Sequence, residues 1–122
     1  MGMSYVFDIG RETVWSPANT TGRVYTGLLT LANEAFELDP GANVISSDYY
    51  EFEPNAFTAF VNRLLEIYEN DDPAPLVTML HGFLKISIVM ATRAGLSLSP
   101  TGERGRAIID HAGRLGHTMP DL

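Results

Sequence analysis

Residues 54–95, PNAFTAFVNRLLEIYENDDPAPLVTMLHGFLKISIVMATRAG, hold the longest run of apolar material in the chain, and their reading decides the fold. In the first half, Phe57, Phe60, Val61, Leu64, Leu65 and Tyr68 recur at the spacing that places side chains on one face of a helix. Thr58, Asn62, Arg63, Glu66 and Glu69 fall on the other face. Pro54 suits the first helical position, where its missing N–H costs nothing, and Glu53 stands beside the positive helix end. Residues 76–94 are apolar nearly all round, with polar groups confined to a line through Thr78, His81, Lys85 and Thr92, plus Arg93. As a helix this stretch is ~28 Å long, close to a bilayer core. His81, Lys85 and Arg93 interrupt it, so it reads as the most buried helix of a small domain, not as a membrane span. Ser87, opposite the polar line, is expected to be buried and bonded to a carbonyl one turn earlier. The two helices are joined through Asn70-Asp71-Asp72-Pro73-Ala74-Pro75, and Gly95 ends the second as a left-handed cap.

Toward the amino terminus, Tyr5, Phe7 and Ile9 alternate with Val6 and Asp8. Gly10-Arg11 then offers a two-residue turn with glycine first, and residues 12–15 return as a second strand. Ser16-Pro17 reads as an N-cap followed by a first-turn proline. The helix it starts carries Val24, Tyr25, Leu28, Leu29, Leu31, Ala32, Ala35 and Phe36 and ends before Asp39-Pro40-Gly41. Gly22 and Gly27 weaken its first turns, which are expected to be frayed or closely packed against another backbone. Residues 48–53 suit a third strand with one wet face, Tyr50 and Phe52 lying on one side and Tyr49, Glu51 and Glu53 on the other. Beyond a loop at residues 96–102, residues 103–115 form a short last helix, and residues 116–122 a mobile tail. The expected fold is therefore α+β. A small antiparallel sheet of about three strands packs on three main helices, in a single domain over residues 1–115.

Composition narrows the function. One domain is the expectation for 122 residues, and the absence of cysteine removes disulfides, thiolate metal sites and cysteine nucleophiles. No basic region followed by an apolar run opens the chain, so a cytoplasmic location is expected. The net charge of -7 is uneven. Through Asp72 there are twelve acidic residues against three arginines, and beyond it three acidic against five basic. The acidic half argues against nucleic acid or an anionic membrane as partner, because phosphate binding needs a basic footprint.

The densest carboxylate group is Asp48, Glu51 and Glu53, with Asp8 and Glu12 nearby across the sheet. A solvated strand face explains it, and its functional reading is contact with a basic protein partner, since complementary charge speeds encounter without needing a pocket. The alternative is a small-molecule pocket or an enzyme site between the sheet and the long helix, drawing on Trp15, Tyr49, Tyr50 and His81. A tryptophan that closes one end of the core, and a histidine on a polar edge held neutral by Lys85, account for Trp15 and His81 more simply. Asp110, His111 and His117 match no metal-ligand spacing, so no metal is expected. The loop from Gly102 to Arg106 is a weak phosphate cradle. With no Walker loop, dinucleotide fingerprint or nucleophile elbow, no catalytic residue and no cofactor are assigned, and the chain reads as non-enzymatic. Surplus apolar surface on residues 76–94 makes homo-oligomerisation a further expectation.

The stretch from Ser4 to Gly10, followed by Thr13-Val14-Trp15-Ser16-Pro17-Ala18-Asn19-Thr20, resembles the opening of a family of short, uncharacterised actinobacterial (Streptomyces-type) proteins of unknown function. The acidic aromatic strand and the helix from Phe57 fit the same resemblance. It implies an actinobacterial source, in keeping with seven arginines against one lysine, and carries no catalytic residue onto these positions.

Overall fold

The computed structural model describes residues 4–70 and 74–119. In chain order the elements are strands β1 (Val6–Ile9) and β2 (Glu12–Trp15), helix α1 (Asn19–Phe36), strands β3 (Ala42–Ser46) and β4 (Tyr49–Phe52), and helices α2 (Pro54–Asn70), α3 (Ala74–Arg93) and α4 (Glu103–Leu115). A single 3-10 turn, Gly116–Thr118, follows. The α+β class holds among the described residues, with four strands where about three were expected, and with the three main helices and the short last one. The aspartates and proline of the turn between α2 and α3 lie outside the described residues, as do residues 120–122.

The sheet corrects the expected topology. Its order is β2-β1-β4-β3 and it is mixed, not antiparallel. β1 and β2 form the expected hairpin, with Gly10 at φ +62° in the turn. β4 runs parallel to β1, pairing Val6 with Tyr49 and Ile9 with Phe52. The cause is β3, which the sequence pattern did not reveal. It pairs antiparallel with β4 through the turn at Ser47-Asp48 and so sets the direction in which β4 enters the sheet. All five β3 residues are exposed, so the strand has no buried face to leave an alternation in the sequence.

Ser16-Pro17 is the second correction. The two residues stay extended, Ser16 donating its hydroxyl to the Tyr5 carbonyl and Pro17 accepting from the Tyr5 N–H, and α1 begins only at Asn19. The N-cap position falls to Ala18, whose methyl group cannot accept a hydrogen bond, so α1 has no side-chain cap. Gly22 is buried here because a Cβ at that position would overlap the Tyr5 ring, which explains a glycine inside the helix.

Helices cover one face of the sheet. Phe7, wholly buried, stacks on Trp15 at 5.5 Å and meets Tyr25 of α1 edge-on at 5.4 Å. Phe52 continues the aromatic layer to Phe57 of α2, and Phe60 reaches Phe83 of α3. Glu53 caps α2, its carboxylate accepting from the Ala56 N–H at 2.5 Å. Ser87 is buried and donates to the Phe83 carbonyl one turn earlier, as expected, and also shares a 2.7 Å bond with the Tyr25 hydroxyl. Loss of solvent around the phenol raises the Tyr25 pKa, with the Ser87 bond opposing in part.

Burial along α3 is uneven. Residues 83–91 are mostly inside, whereas Met79 is 72% exposed and Thr78 and Gly82 face solvent. The span Pro75–Arg93 is long and apolar enough to cross a membrane, and 44% of its most apolar window is buried within the fold. Residues 116–119 are not a loose tail. The Arg93 guanidinium donates to the carbonyls of Val14, Gly116 and Met119 at 2.6–2.8 Å, and Met119 is buried. One cation thereby ties α3 to β2 and to the chain end.

Candidate functional site

The face of the sheet turned away from the aromatic core carries Asp8, Thr13, Tyr49 and Glu51, which share register across three strands. Alternation along each strand forces this, because Phe7, Tyr50 and Phe52 already occupy the core side. Asp8 is only 6% exposed. Its two oxygens accept from Thr13 Oγ1 at 2.6 Å and Tyr49 Oη at 2.7 Å, so the carboxylate is held by neutral donors. The bond to Asp8, its charge, desolvation and the more distant Glu51 all raise the Tyr49 pKa. Tyr49 therefore stays protonated as a donor and offers no phenolate for base chemistry.

The candidate partner-binding carboxylates lie along or beside β4, and they differ in what they already do. Asp48 accepts from the Ser46 hydroxyl at 2.9 Å within the β3–β4 turn, and Glu53 caps α2. Glu51 makes no side-chain hydrogen bond or ion pair among the described residues. Glu51 and Glu53 share a shallow depression of about 420 Å³ with Gly10, Arg11, Gly41 and Asn43, at the end of the sheet where β4 runs into α2. The ion pairs among the described residues are Arg63 with Glu66 and Arg114 with Asp110, both on helices, so no carboxylate of the sheet is in direct ion-pair contact, and Arg11 is the cation that shares the depression with Glu51 and Glu53.

Trp15, Tyr49, Tyr50 and His81, the residues of the expected pocket, are not brought together. Trp15 is 3% exposed within the core, between Phe7 and Tyr25, and its indole N–H has no acceptor among the described residues. Tyr50 packs on Tyr5, Phe7 and Phe52, while its neighbour Tyr49 points through the opposite face to Asp8. His81 lies on α3 against Tyr68, whose hydroxyl meets its Nδ1 at 2.9 Å. Desolvation lowers the His81 pKa, helped by Lys85 and His111, so the ring is neutral at pH 7. The interface between the sheet and the long helix is filled by Phe7, Trp15, Tyr25 and Phe83, whose ring centroids lie 5.4–5.5 Å apart along the series.

The glycine-rich start of α4 also reads differently in place. Glu69 donates no proton there but accepts from Thr101 through its N–H at 3.2 Å and its hydroxyl at 2.5 Å. Any Cβ at Gly105 would overlap the Glu69 carboxylate, so that glycine makes room for the chain's own anion. Arg104 is turned to the Tyr68 carbonyl at 2.9 Å. No group of three histidine, aspartate or glutamate side chains converges to hold a metal among the described residues.

These features define a small α+β protein with a mixed four-stranded sheet and helices on one face, the other face carrying Asp8, Thr13, Tyr49 and Glu51. Residues 3–121 match a family of unknown function (DUF6086), and the chain belongs to that family. No curated protein and no solved structure matches it.

Proposed function

We propose that the protein is a non-enzymatic, cytoplasmic interaction protein, an adaptor or neutraliser that takes a basic protein partner on the acidic end of its sheet. The observation that carries this reading is the group Asp48, Glu51 and Glu53 along and beside β4, which among the described residues has no ion-pair contact and only Arg11 of the chain's cations sharing its depression. The edge strand β3 supplies a second reason. Its outer edge has no neighbouring strand among the described residues, and its sequence Ala-Asn-Val-Ile-Ser has neither the charge nor the proline with which edges are usually protected. Val44 and Ile45 are 55% and 53% exposed on it. An extended segment added beside β3 would gain main-chain hydrogen bonds, and a long lysine or arginine side chain in it would reach across β3, about 10 Å, toward Glu51 on β4. The same acidic surface disfavours nucleic acid and anionic membrane as partners, and the excess of arginine over lysine supports an actinobacterial source. A small-molecule pocket beneath the sheet has weaker support, because aromatic rings fill that space.

The test is capture from a lysate of the source organism at low and at moderate salt, with wild type and Glu51→Arg side by side. The expected result is a basic protein whose retention falls about tenfold as ionic strength rises through the physiological range and that Glu51→Arg fails to retain. Glu51 has no internal partner to lose, so the variant keeps its fold. Recovery of no salt-sensitive partner, or equal recovery by the variant, counts against the reading.

A further inference from the structure

A different surface leads to a different partner. Along α1 the apolar residues Val24, Leu28, Leu31 and Ala35 are spaced four, three and four apart, the seam of a helix that packs on another helix. The protein's own core uses only part of that seam, touching it at the half-buried Leu28. α1 buries Gly22, Tyr25, Leu29 and Ala32, on a neighbouring stripe, and leaves Val24 59% and Leu31 57% exposed. Beside it α3 presents Leu76 and the 72% exposed Met79, and the two helices enclose an apolar groove of about 470 Å³.

We propose that a second copy of this chain covers this strip, its α1 lying antiparallel to α1 across a two-fold axis that passes between Leu29 and Thr30. The axis is placed by the seam itself. It sets Leu28 against Leu31 of the second copy and Val24 against Ala35 of the second copy, so all four apolar positions find apolar partners in one register. Charge fits the same register. Arg23 and Glu34 are exposed on the same flank of α1, and neither has an ion-pair partner among the described residues. At 1.5 Å per residue they stand about 10 and about 7 Å on opposite sides of the axis, so the symmetry brings Arg23 of each copy to within about 3 Å, along the helix, of Glu34 of the other. Gly27, where a Cβ would meet nothing within 4 Å, lets the two backbones come close near the axis.

The size of the strip sets the strength. α1 has 18 residues, so the strip is about 27 Å long and about 10 Å wide. Even with Leu76 and Met79 added it is smaller than the roughly 1,200 Å² total buried by stable complexes, and the dimer is therefore weak and concentration-dependent. This inference rests on α1 and α3 and does not depend on the acidic sheet surface.

Sedimentation equilibrium of the full chain between about 1 and about 500 µM tests it, a range chosen for an interface of this size. Wild type is expected to pass from monomer to dimer. Leu31→Asp, at a position more than half exposed, is expected to stay monomeric with an unchanged circular dichroism spectrum. Arg23→Glu and Glu34→Arg are each expected to weaken the dimer about tenfold, and the double reversal to restore it to within about threefold of wild type. A wild-type monomer at every concentration overturns the proposal, whether the strip then stays bare or takes a helix of another protein. So does a dimer indifferent to Leu31→Asp, which would use another face, or a double reversal that fails to restore association.

Discussion

Helices α1 and α2 are nearly the same length, 18 and 17 residues, and both carry a broad apolar stripe, yet the fold uses them differently. α2 buries seven side chains, from Phe57 to Tyr68, against the sheet, α3 and α4. α1 buries four residues, one of them a glycine, and leaves two large aliphatic side chains more than half in water. The stripe in α2 is matched by partners on several sides, while α1 lies at the margin, reached by the sheet through Trp15 and Phe7 and by α3 through Phe83 and Ser87. Amphipathic spacing measures how much apolar surface a helix offers. How much of it the same chain covers depends on position in the layer.

The comparison breaks most visibly on core truncation. Leu64→Ala in α2 is expected to cost about 3 to 4 kcal/mol in urea denaturation, because Leu64 is wholly buried and leaves a cavity. Leu31→Ala in α1, measured on dilute protein, is expected to cost less than about 0.5 kcal/mol. Equal losses would mean that α1 is as deeply docked as α2.

Within α1 the two glycines sharpen the contrast. Gly22→Ala drives a methyl into the Tyr5 ring and is expected to destabilise by about 2 kcal/mol. Gly27→Ala meets open space and is expected to stabilise the dilute protein by about 0.5 to 1 kcal/mol, since alanine is the better helix former. Thermal unfolding of the two variants should shift in opposite directions.

A smaller effect comes from the polar clamp that each helix makes to α3. Tyr25→Phe removes the hydroxyl that α1 sends to Ser87, while Ser87 keeps its bond to the Phe83 carbonyl. The expected loss is therefore about 1 kcal/mol and not the full penalty of an orphaned group.

The clamp from α2 to α3 is the pH-sensitive one. His81 has a folded pKa below its ordinary 6.5, chiefly through desolvation. The unfolded chain then binds the proton more readily, so the contribution is fully present above about pH 6.5 and declines as pH falls below it. His81→Gln should flatten that part of the melting-temperature profile slightly. A wild-type profile that rises on acidification through this window would contradict the assignment.

Helices and hairpin were legible because their burial is periodic. The bounds of α4, the place of Glu53 at the start of α2 and the inward Ser87 all follow from local chemistry. Two kinds of feature were not legible. β3 buries nothing and so shows no pattern, and with it the parallel pairing of β1 and β4 stayed hidden. Ser16-Pro17 has the composition of a helix start, but a tertiary bond to Tyr5 outbids the local one. In the candidate site, the carboxylates at residues 48, 51 and 53 could be named from the sequence. That Tyr49 and Thr13 would satisfy Asp8, and that of these three carboxylates Glu51 would make no side-chain hydrogen bond among the described residues, required the register.

By itself the sequence determined the class of fold, the helical pair at its centre and the uneven charge, since these follow from spacing and counts along the chain. The tertiary structure alone decided which apolar stripe became core and which stayed open, which strand ran parallel, and that Trp15, Tyr49, Tyr50 and His81 would go to different places. Those outcomes depend on contacts between residues far apart in sequence, where the gain from one packing arrangement must exceed that of every competing one, and local preference carries no record of the competitors.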